Sequence, residues 1–547
     1  AAGEAPDFAP LLRQWGGVTL AYRKSLADAP AYRLNHEEVA KALEEGIQIA
    51  ECLDPEEALL DEHGAVAGVR FRVQAETDGR WGATERTVTL PARSVMVAAG
   101  TVPNIGYAKE HPGRLALDRR GRFFLGHRAE RGPDGRWRPV PAEGAPDAFF
   151  TSYDDDGRLI SFYGDNHPTY AGNVVKAMAS AKDGFRRVAA LFADDADAAP
   201  ADQPARDAAF RAFADRLTDA LEARVHAVHR LTETIVELVV RAPQAAREFR
   251  PGQFYRLQSY ESTSPVVAGT RLTMEGIALT GAWVDPDAGL LSLIILEMGA
   301  SSRLCAHLAP GTKVVVMGPT GTPTEIPSGE NVLLAGGGLG NAVLFSIAEA
   351  MRKAGNRVVY FAGYKRGEDL FKREEVEEAT DQVIWSTDSG AEIVPSRPQD
   401  VHFRGNIVQA MLAYGEGRLV EPVVPLPSVD RIIAIGSDRM MRAVKDARRG
   451  VLAPHLVKDP LAIGSINSPM QCMMKEVCAQ CLQKHVDPVT GAESVVFSCV
   501  NQDQRLDDVD FDHLATRLRA NSVQEKVANL WLDYLMAVGE EAATAVR

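Results

Sequence analysis

The sequence predicts an α/β multidomain protein: a partial doubly wound nucleotide-binding domain, then an antiparallel β-barrel, a Rossmann-like domain and a cysteine-bearing C-terminal segment. Three observations predict it. The 547 residues exceed what one hydrophobic core supports. Short strands between turns, from Val225 to Met317, have the spacing of a small antiparallel barrel. They lead into NVLLAGGGLGNAVLFSIAEAMRKAGNRVVYFAGY (331–364), a strand, glycine turn, amphipathic helix and second strand in the order of a parallel sheet.

Composition narrows the class. Hydrophobic residues make up 46% and charged residues 24%, as in ordinary globular chains. The formal net charge of -14 argues against nucleic acid as a partner, since phosphate backbones repel it. No apolar run has the length of a membrane span, and the start carries no signal-peptide pattern. The chain opens without Met on a short polar lead to the strand Val18 to Tyr22, and reads as truncated or processed. Six cysteines, four of them clustered, suit metal ligation in a reducing, cytoplasmic setting better than a disulfide scaffold.

The elements follow in order. GVTLAYRK (17–24) is a strand ending in two cations. At the C-terminal edge of a doubly wound sheet, Arg23 and Lys24 would grip a ribose 2′-phosphate. A helix from Asn35 to Glu45 carries Asn35 at its cap. Residues 66–73 and 86–90 read as hairpin strands. Ser94 to Asn104 reads as a buried strand running into Gly100, where a missing side chain lets backbone approach a ligand. Ile160 to Tyr163 is a strand ending at Gly164-Asp165, with a helix from about Asn173 to Arg187. There Asp165 would accept from a sugar or ribityl hydroxyl, and the helix N-terminus would face a flavin or phosphate oxygen. His167 reads as a capping or surface residue.

ADDADAAPADQPARDAA (193–209) lacks large apolar side chains and reads as a linker. The expected divisions are 1–128, a partial NAD(P)-binding domain; 129–192, the remainder of the first module; the linker 193–209; 210–328, the barrel; 329–455, a second nucleotide domain; and 456–547, the cysteine segment with C-terminal helices. Strands are expected at Val225 to Val240, Gln253 to Ser259, Ile277 to Thr280, Leu290 to Leu296 and Lys313 to Met317. A further one, Arg431 to Ile435, enters GSDRMM (436–441) and a helix.

The chemistry rests on four patterns. Cys472, Cys478, Cys481 and Cys499 have the spacing C-x5-C-x2-C-x17-C. The close pair lets two thiolates reach one iron from one loop, with a fourth from a distant hairpin. Tetrahedral zinc suits four thiolates as well, and spacing leaves the two nearly level. Gly336, Gly337, Gly338 and Gly340 sit between strand and helix, where glycines permit a tight turn and a pyrophosphate can meet the helix N-terminus. Gly299, Ser301 and Ser302 form a turn after a barrel strand that can bind a flavin pyrophosphate or cap a helix. Gly436 and Asp438, at a helix entrance, belong to the same cofactor-binding set. Cys52 and Cys305 read as core thiols and His485 as a surface residue.

Two family resemblances then appear. VTLAYRKS, APAY, HEEVAKALEEGI, VAAGTVPN and YGD followed by VVKAMASAK resemble the glutamate synthase small-subunit type of pyridine nucleotide oxidoreductase. That type includes the large subunit of bifurcating NADH-dependent ferredoxin:NADP oxidoreductases. The resemblance implies that Arg23 and Lys24 take the NADPH 2′-phosphate and that Gly164 and Asp165 hold FAD. The family's N-terminal glycine motif, first strand and cluster-binding cysteines are missing, so this half needs another chain or a lost segment to complete a flavin site.

From RPGQFYRLQ (250–258) through IALTG, GASS, GPTG, LAGGGLGNA, GSDRMM and the four cysteines, the chain resembles the ferredoxin reductase superfamily, in particular the dihydroorotate dehydrogenase electron-transfer subunit and the small subunit of the bifurcating enzymes. The resemblance implies a [2Fe-2S] cluster on the four cysteines and FAD near Leu279, Thr280, Gly299, Ser301 and Ser302. The family's Arg-x-Pro-Leu-Thr run reads Gly276-Ile-Ala-Leu-Thr280 here, and its Cys-Gly-Pro turn reads Ile435-Gly436-Ser437. The expected activity is an NAD(P)H-dependent oxidoreductase passing electrons through FAD and [2Fe-2S] to ferredoxin or another redox subunit. The alternative is an electron-input subunit of a larger dehydrogenase or synthase complex, its N-terminal half a structural scaffold.

Overall fold

The computed structural model describes residues 7–29, 32, 35–98, 100, 102–152, 158–199, 202–472, 476 and 478–545. The chain divides into two units, Ala1–Asp197 and Ala198–Arg547.

The first unit begins with a βαβ. Strand β1 (Thr19–Ala21), helix α1 (His36–Glu44) and strand β2 (Gln48–Ala50) follow in order, and β1 pairs parallel with β2. Asn35 stands at the N-cap of α1, but its side chain makes no capping bond. An antiparallel meander follows: β3 (Leu53–Leu60), β4 (Val66–Thr77) and β5 (Arg80–Pro91), around Leu53, Val69 and Phe71. Next come β6 (His127–Arg131), β7 (Trp137–Pro141), β8 (Phe150–Ser152) and β9 (Leu159–Ser161) in an antiparallel sheet of order β7-β6-β8-β9. Helix α2 (Val174–Leu191) lies beyond it, and α3 (Ala193–Asp197) closes the unit.

Two expectations for this unit need correction. The doubly wound sheet is reduced, among the described residues, to β1 and β2. The buried strand from Ser94 is not formed: residues 94–98 join no sheet among the described residues, and Met96 and Val97 are 90% and 86% exposed. A buried parallel strand needs layers over both faces, whereas β1 is itself exposed along its length. Ala99 and Thr101 of this stretch, like Pro30 and Ala31 of APAY, lie outside the described residues.

In the second unit, α4 (Gln203–Leu221) occupies part of the expected linker. With α3 it makes residues 193–209 largely helical, because Ala is the best helix former and Asp202 caps α4 by accepting from the Ala205 N–H. Six strands then close into a barrel: β10 (Ala223–Arg230), β11 (Ile235–Arg241), β12 (Phe254–Ser259), β13 (Ile277–Asp285), β14 (Leu290–Leu296) and β15 (Lys313–Thr320), in the order β10-β11-β14-β13-β12-β15. A short helix, α5 (Ala300–Leu304), lies between β14 and β15. The barrel core holds Leu238, Tyr255, Leu257, Leu291 and Leu293, all without solvent exposure. Cys305 joins them, and burial pushes its thiol up to about 12.

A seven-stranded sheet follows. Its strands are β16 (Asn331–Gly337), β17 (Arg357–Arg366), β18 (Gln382–Ser389), β19 (Val401–Arg404), β20 (Arg431–Ile435), β21 (Leu461–Ser465) and β24 (Asp503–Arg505), in the order β19-β18-β17-β16-β20-β21-β24. All pairs are parallel except β21 with β24. Helix α6 (Asn341–Lys353) follows β16, and α7 (Asp438–Arg449) follows β20. Ile235, Ala282 and Ile294 of the barrel share a core with Val332 and Tyr360 of the sheet and Leu344 of α6, so the two domains bury a common interior. The hairpin β22 (Leu482–Val486) and β23 (Glu493–Phe497) lies within the cysteine segment, and α8 (Phe511–Arg519) and α9 (Ser522–Ala545) end the chain. Among the described residues no helix is long and apolar enough to cross a membrane.

Candidate functional site

The second unit gathers its chemistry where the strand order of the sheet reverses. β16 leads to β17 on one side, whereas β20 pairs with its other edge. Such a switch point opens a crevice at the C-terminal ends of the two strands. Gly336 to Gly340 and Gly436 stand there. A Cβ on Gly340 would come 2.2 Å from the Ile435 carbonyl oxygen, and one on Gly436 would come 3.2 Å from the Gly337 Cα. The glycines therefore let the two turns touch. Gly338 adopts φ +55 and faces open space. Ser437 caps α7 by accepting from the Met440 N–H at 3.2 Å, and Asp438 lies in the helix's first turn.

Asn341, which sequence reasoning passed over, holds this turn from below. Its Nδ2 donates to the carbonyls of Gly338 at 3.0 Å and Gly363 at 3.3 Å, and its Oδ1 accepts from the Tyr360 hydroxyl at 2.7 Å. Its position directly after the glycine run was the available signal.

On the barrel, Tyr255 and Leu257 point inward, so Phe254 and Arg256 point outward by strand alternation. Phe254 pairs with Thr280 and Arg256 with Ala278, so these four share one outer face. Leu279 points the other way, into the barrel core, and only its backbone can serve a ligand. The Gly299 turn reaches the same region: Ser301 Oγ accepts from the Glu275 N–H at 3.1 Å. Ser302 Oγ accepts from the Gly299 N–H at 3.0 Å and donates to the Gly299 carbonyl at 2.9 Å, as the cap expected of it. Helix α9 lies against this turn. Asn529 Nδ2 donates to the Met298 carbonyl at 2.9 Å, Arg303 pairs with Asp533 at 2.5 Å, and Glu525 Oε2 lies 2.7 Å from where a Gly299 Cβ would stand.

The cysteine loop packs on this outer face. Cys481 and Cys499 are buried together with Phe254, beside Ala278, Met470, Phe497 and Val500. Cys472 and Cys478 are half-buried. The Cys499 thiol hydrogen-bonds Cys481 and lowers its pKa to about 7, whereas the pKa of Cys499 itself is pushed well up by that bond, by burial and by Cys472 nearby. The Gln480 N–H points at Cys478 Sγ at 3.5 Å, and Glu476 and Ala479 adopt left-handed backbone at φ 54. Residues 473–475 and 477 lie outside the described residues. No three His, Cys, Asp or Glu side chains among the described residues converge on one metal position. Thiolates are the donors that an iron–sulfur cluster takes, and Cys481 precedes β22 while Cys499 follows β23, so that hairpin returns these two sulfurs to each other.

The segment is anchored firmly. Gln502 Nε2 donates to the Gly252 carbonyl at 3.0 Å, Thr324 Oγ1 donates to Asp503 at 2.7 Å, and the Thr322 N–H donates to the Val500 carbonyl at 2.9 Å. His485 is buried, not exposed as expected, with Nε2 2.7 Å from Gln504 Oε1. Its place on a hairpin covered by α8 was not visible from spacing.

In the first unit, Arg23 is exposed and Lys24 half-buried, just past the C-terminal end of β1. Gly164 adopts φ +67 and donates its N–H to Ser180 Oγ at 2.8 Å. Asp165 Oδ1 accepts from the Gly172 N–H at 2.9 Å, and Asn173 caps α2 through the Val175 and Lys176 N–H groups. Gly100 adopts φ +94 outside any strand. His167 does cap the Gly164–Asn166 turn, and its Nδ1 accepts from the Thr169 N–H at 3.3 Å, but it is buried and not on the surface, its ring 4.8 Å from Phe149, 5.3 Å from Phe162 and 5.0 Å from Tyr170. Cys52 is not in a core; it is half-buried with φ 58 between β2 and β3.

Comparison with known proteins adds context. No protein-family model matches the chain. "Uncharacterized protein RP006" of Rickettsia prowazekii is 28% identical over 535 residues, which is 96% of this chain and 58% of that protein. The chain thus spans under two thirds of that relative's length. The C-terminal part of the chain resembles the electron transfer subunit of dihydroorotate dehydrogenase B (NAD(+)). The Thermotoga maritima homolog is 28% identical over 313 residues, 57% of this chain and 95% of its own length. The Bacillus caldolyticus subunit is 29% identical over 174 residues, 31% of this chain and 64% of its own. A solved NADH-dependent reduced ferredoxin-NADP oxidoreductase is 26% identical, covering 57% of this chain and 98% of its own, with a TM-score of 0.46.

Proposed function

We propose that this chain is the flavin- and iron–sulfur-carrying part of an NAD(P)H-dependent electron-transfer oxidoreductase. Its barrel would hold FAD, its β16–β20 crevice the nicotinamide nucleotide, and Cys472, Cys478, Cys481 and Cys499 a [2Fe-2S] cluster. The observation that carries this reading is the packing of Cys481 and Cys499 on Phe254 and Ala278. Two thiols thereby lie against the outer face that Thr280 shares. A zinc site would need no such neighbour.

A flavin held there would supply hydride-accepting and one-electron-donating chemistry, and that chemistry is the cofactor's own. The residues' tasks are binding and placement. Gly336, Gly337, Gly338 and Gly340 clear room for a dinucleotide over the α6 N-terminus, and Asn341 fixes their shape. Gly436 and Asp438 border the same crevice. Gln502, Thr322 and Thr324 lock the cysteine segment to the barrel. The relative named as an electron transfer subunit supports a partner: ferredoxin or another redox subunit would take the electrons.

For the first unit the matching reading assigns Arg23 and Lys24 to a 2′-phosphate, and Gly100, Gly164 and Asp165 to FAD. A second reading is favoured by particular contacts. Asp165 Oδ1 is tied to Gly172, and two N–H groups of α2 are taken by Asn173. Those groups are then not available to a ligand, and the unit would serve as a scaffold in a larger dehydrogenase or synthase complex.

Anaerobic titration of the purified, reconstituted full chain with NADH and with NADPH tests the proposal. Bleaching of a flavin band, followed by reduction of the cluster absorbance, is the expected course. A chain that binds flavin and is not reduced by either nucleotide contradicts the assignment.

A further inference from the structure

Among the described residues, Arg256 has no carboxylate in ion-pair contact. It stands on the outer face of β12, since Tyr255 and Leu257 on either side are sealed in the barrel. Its guanidinium lies over Gly276: a Cβ there would be 1.7 Å from Nε and 2.4 Å from Nη2. Nε has no solvent exposure and no hydrogen-bond partner among the described residues. Folded proteins rarely leave a desolvated charged donor unmatched. Gly276 follows Glu275, whose N–H donates to Ser301 Oγ, so the guanidinium and the Gly299–Ser302 turn meet at one end of β13.

We infer that Arg256 binds a phosphoryl group of the cofactor, the diphosphate of FAD. The inference rests on the flavin reading above and deepens it. β13 has no side chain at Gly276, and the adjacent strand delivers a guanidinium into that space. Its planar fork matches two phosphoryl oxygens, which a lysine ammonium cannot do. Arg256 is therefore a binding residue that discriminates phosphorylated flavins from riboflavin.

The test is titration of the deflavinated full chain with FAD, FMN and riboflavin. Arg256→Met should weaken FAD binding on the order of 10- to 100-fold, the loss of one charged hydrogen-bonding group, with riboflavin changed less than about threefold. Arg256→Lys should fall between. Combining Arg256→Ala with Gly276→Arg moves the guanidinium to the neighbouring strand and should recover FAD binding to within about fivefold of the parent. Unchanged FAD binding by Arg256→Met, or a parallel loss of riboflavin, overturns the inference while leaving the flavin reading intact. A parent chain that binds none of the three defeats the flavin reading itself. Should Arg256→Met not fold, the strand swap decides: a folded swap that holds no FAD also overturns the inference.

Discussion

Tyr360 and Asn341 are both fully buried, and the Tyr360 hydroxyl donates to Asn341 Oδ1 at 2.7 Å. Through this bond the second strand of the βαβ fixes the amide that supports the glycine turn. Asn341→Leu should cost about 1–3 kcal/mol, as it leaves the hydroxyl and two carbonyls unmatched. Nicotinamide nucleotide affinity should fall with it, whereas FAD affinity should not. Chemical denaturation and nucleotide titration of the same variant check both.

The switch-point crevice depends on close approach of two turns. Gly340→Ala places a methyl 2.2 Å from the Ile435 carbonyl oxygen, a backbone atom that cannot swing away. The variant should lose several kcal/mol of stability or part β16 from β20. Thermal melting and nucleotide binding should both register it. Gly338→Ala meets no atom, so its cost comes only from the left-handed backbone, about 1 kcal/mol.

A buried ion network ties the end of β24 to α7. Arg448 contacts Asp507 at 2.7 Å and Asp459 at 2.9 Å, with its own side chain 4% exposed. Burial pushes the Asp507 carboxyl up, but Arg448 and Arg449 outweigh it and hold it below its usual 3.8. The folded value is the lower one, so this stabilisation is present above pH 3.8 and is lost as pH falls through the folded value. Asp507→Asn should cost about 3–5 kcal/mol by stranding Arg448. Hydrogen exchange across residues 503–509 should accelerate in that variant at neutral pH, and in the parent only in strong acid.

Glu525 places a carboxylate beside Gly299, where the diphosphate is proposed to bind. Like charges at such a distance repel. Glu525→Gln should tighten FAD binding by about two- to fivefold at low salt, with the gain shrinking as salt rises. An unchanged affinity would mean that the diphosphate lies away from this turn.

Burial holds the His167 imidazole below its usual 6.5, even though a backbone contact at Ala148 favours the charged form. The folded state resists protonation, so its contribution is present above pH 6.5 and is lost as pH falls toward the folded value. The melting transition of the first unit should drop below pH 6.5, and His167→Phe should flatten that slope. Calorimetry of the full chain across this range checks it.

The barrel and parallel sheet were legible because their strands alternate or run apolar over their whole length, as Leu290 to Leu296 does. The cysteine spacing was legible because the four cysteines lie close in sequence. Cross-strand facts were not. The vacancy at Gly276 could be read from the chain, but its filling by Arg256 depends on the register of β12 with β13. The run from Ser94 misled because apolar residues alone do not make a buried strand; its faces must be covered, and β1 is itself exposed along its length. The stretch 193–209 does hold the division between the two units, but its Ala content suits helix as well as linker, and Asp202 starts one. Helix α9 showed amphipathic charge but not that Glu525 would lie on the Gly299 turn, a contact made across more than two hundred residues.

Cofactor analysis of the intact chain after anaerobic reconstitution bears most directly on the account: flavin, iron, acid-labile sulfide and zinc from one sample. The account predicts FAD on the barrel and about two irons with about two sulfides per chain, the iron and sulfide lost together in Cys481→Ser. Zinc without sulfide, or iron–sulfur retained after loss of Cys481, would contradict it.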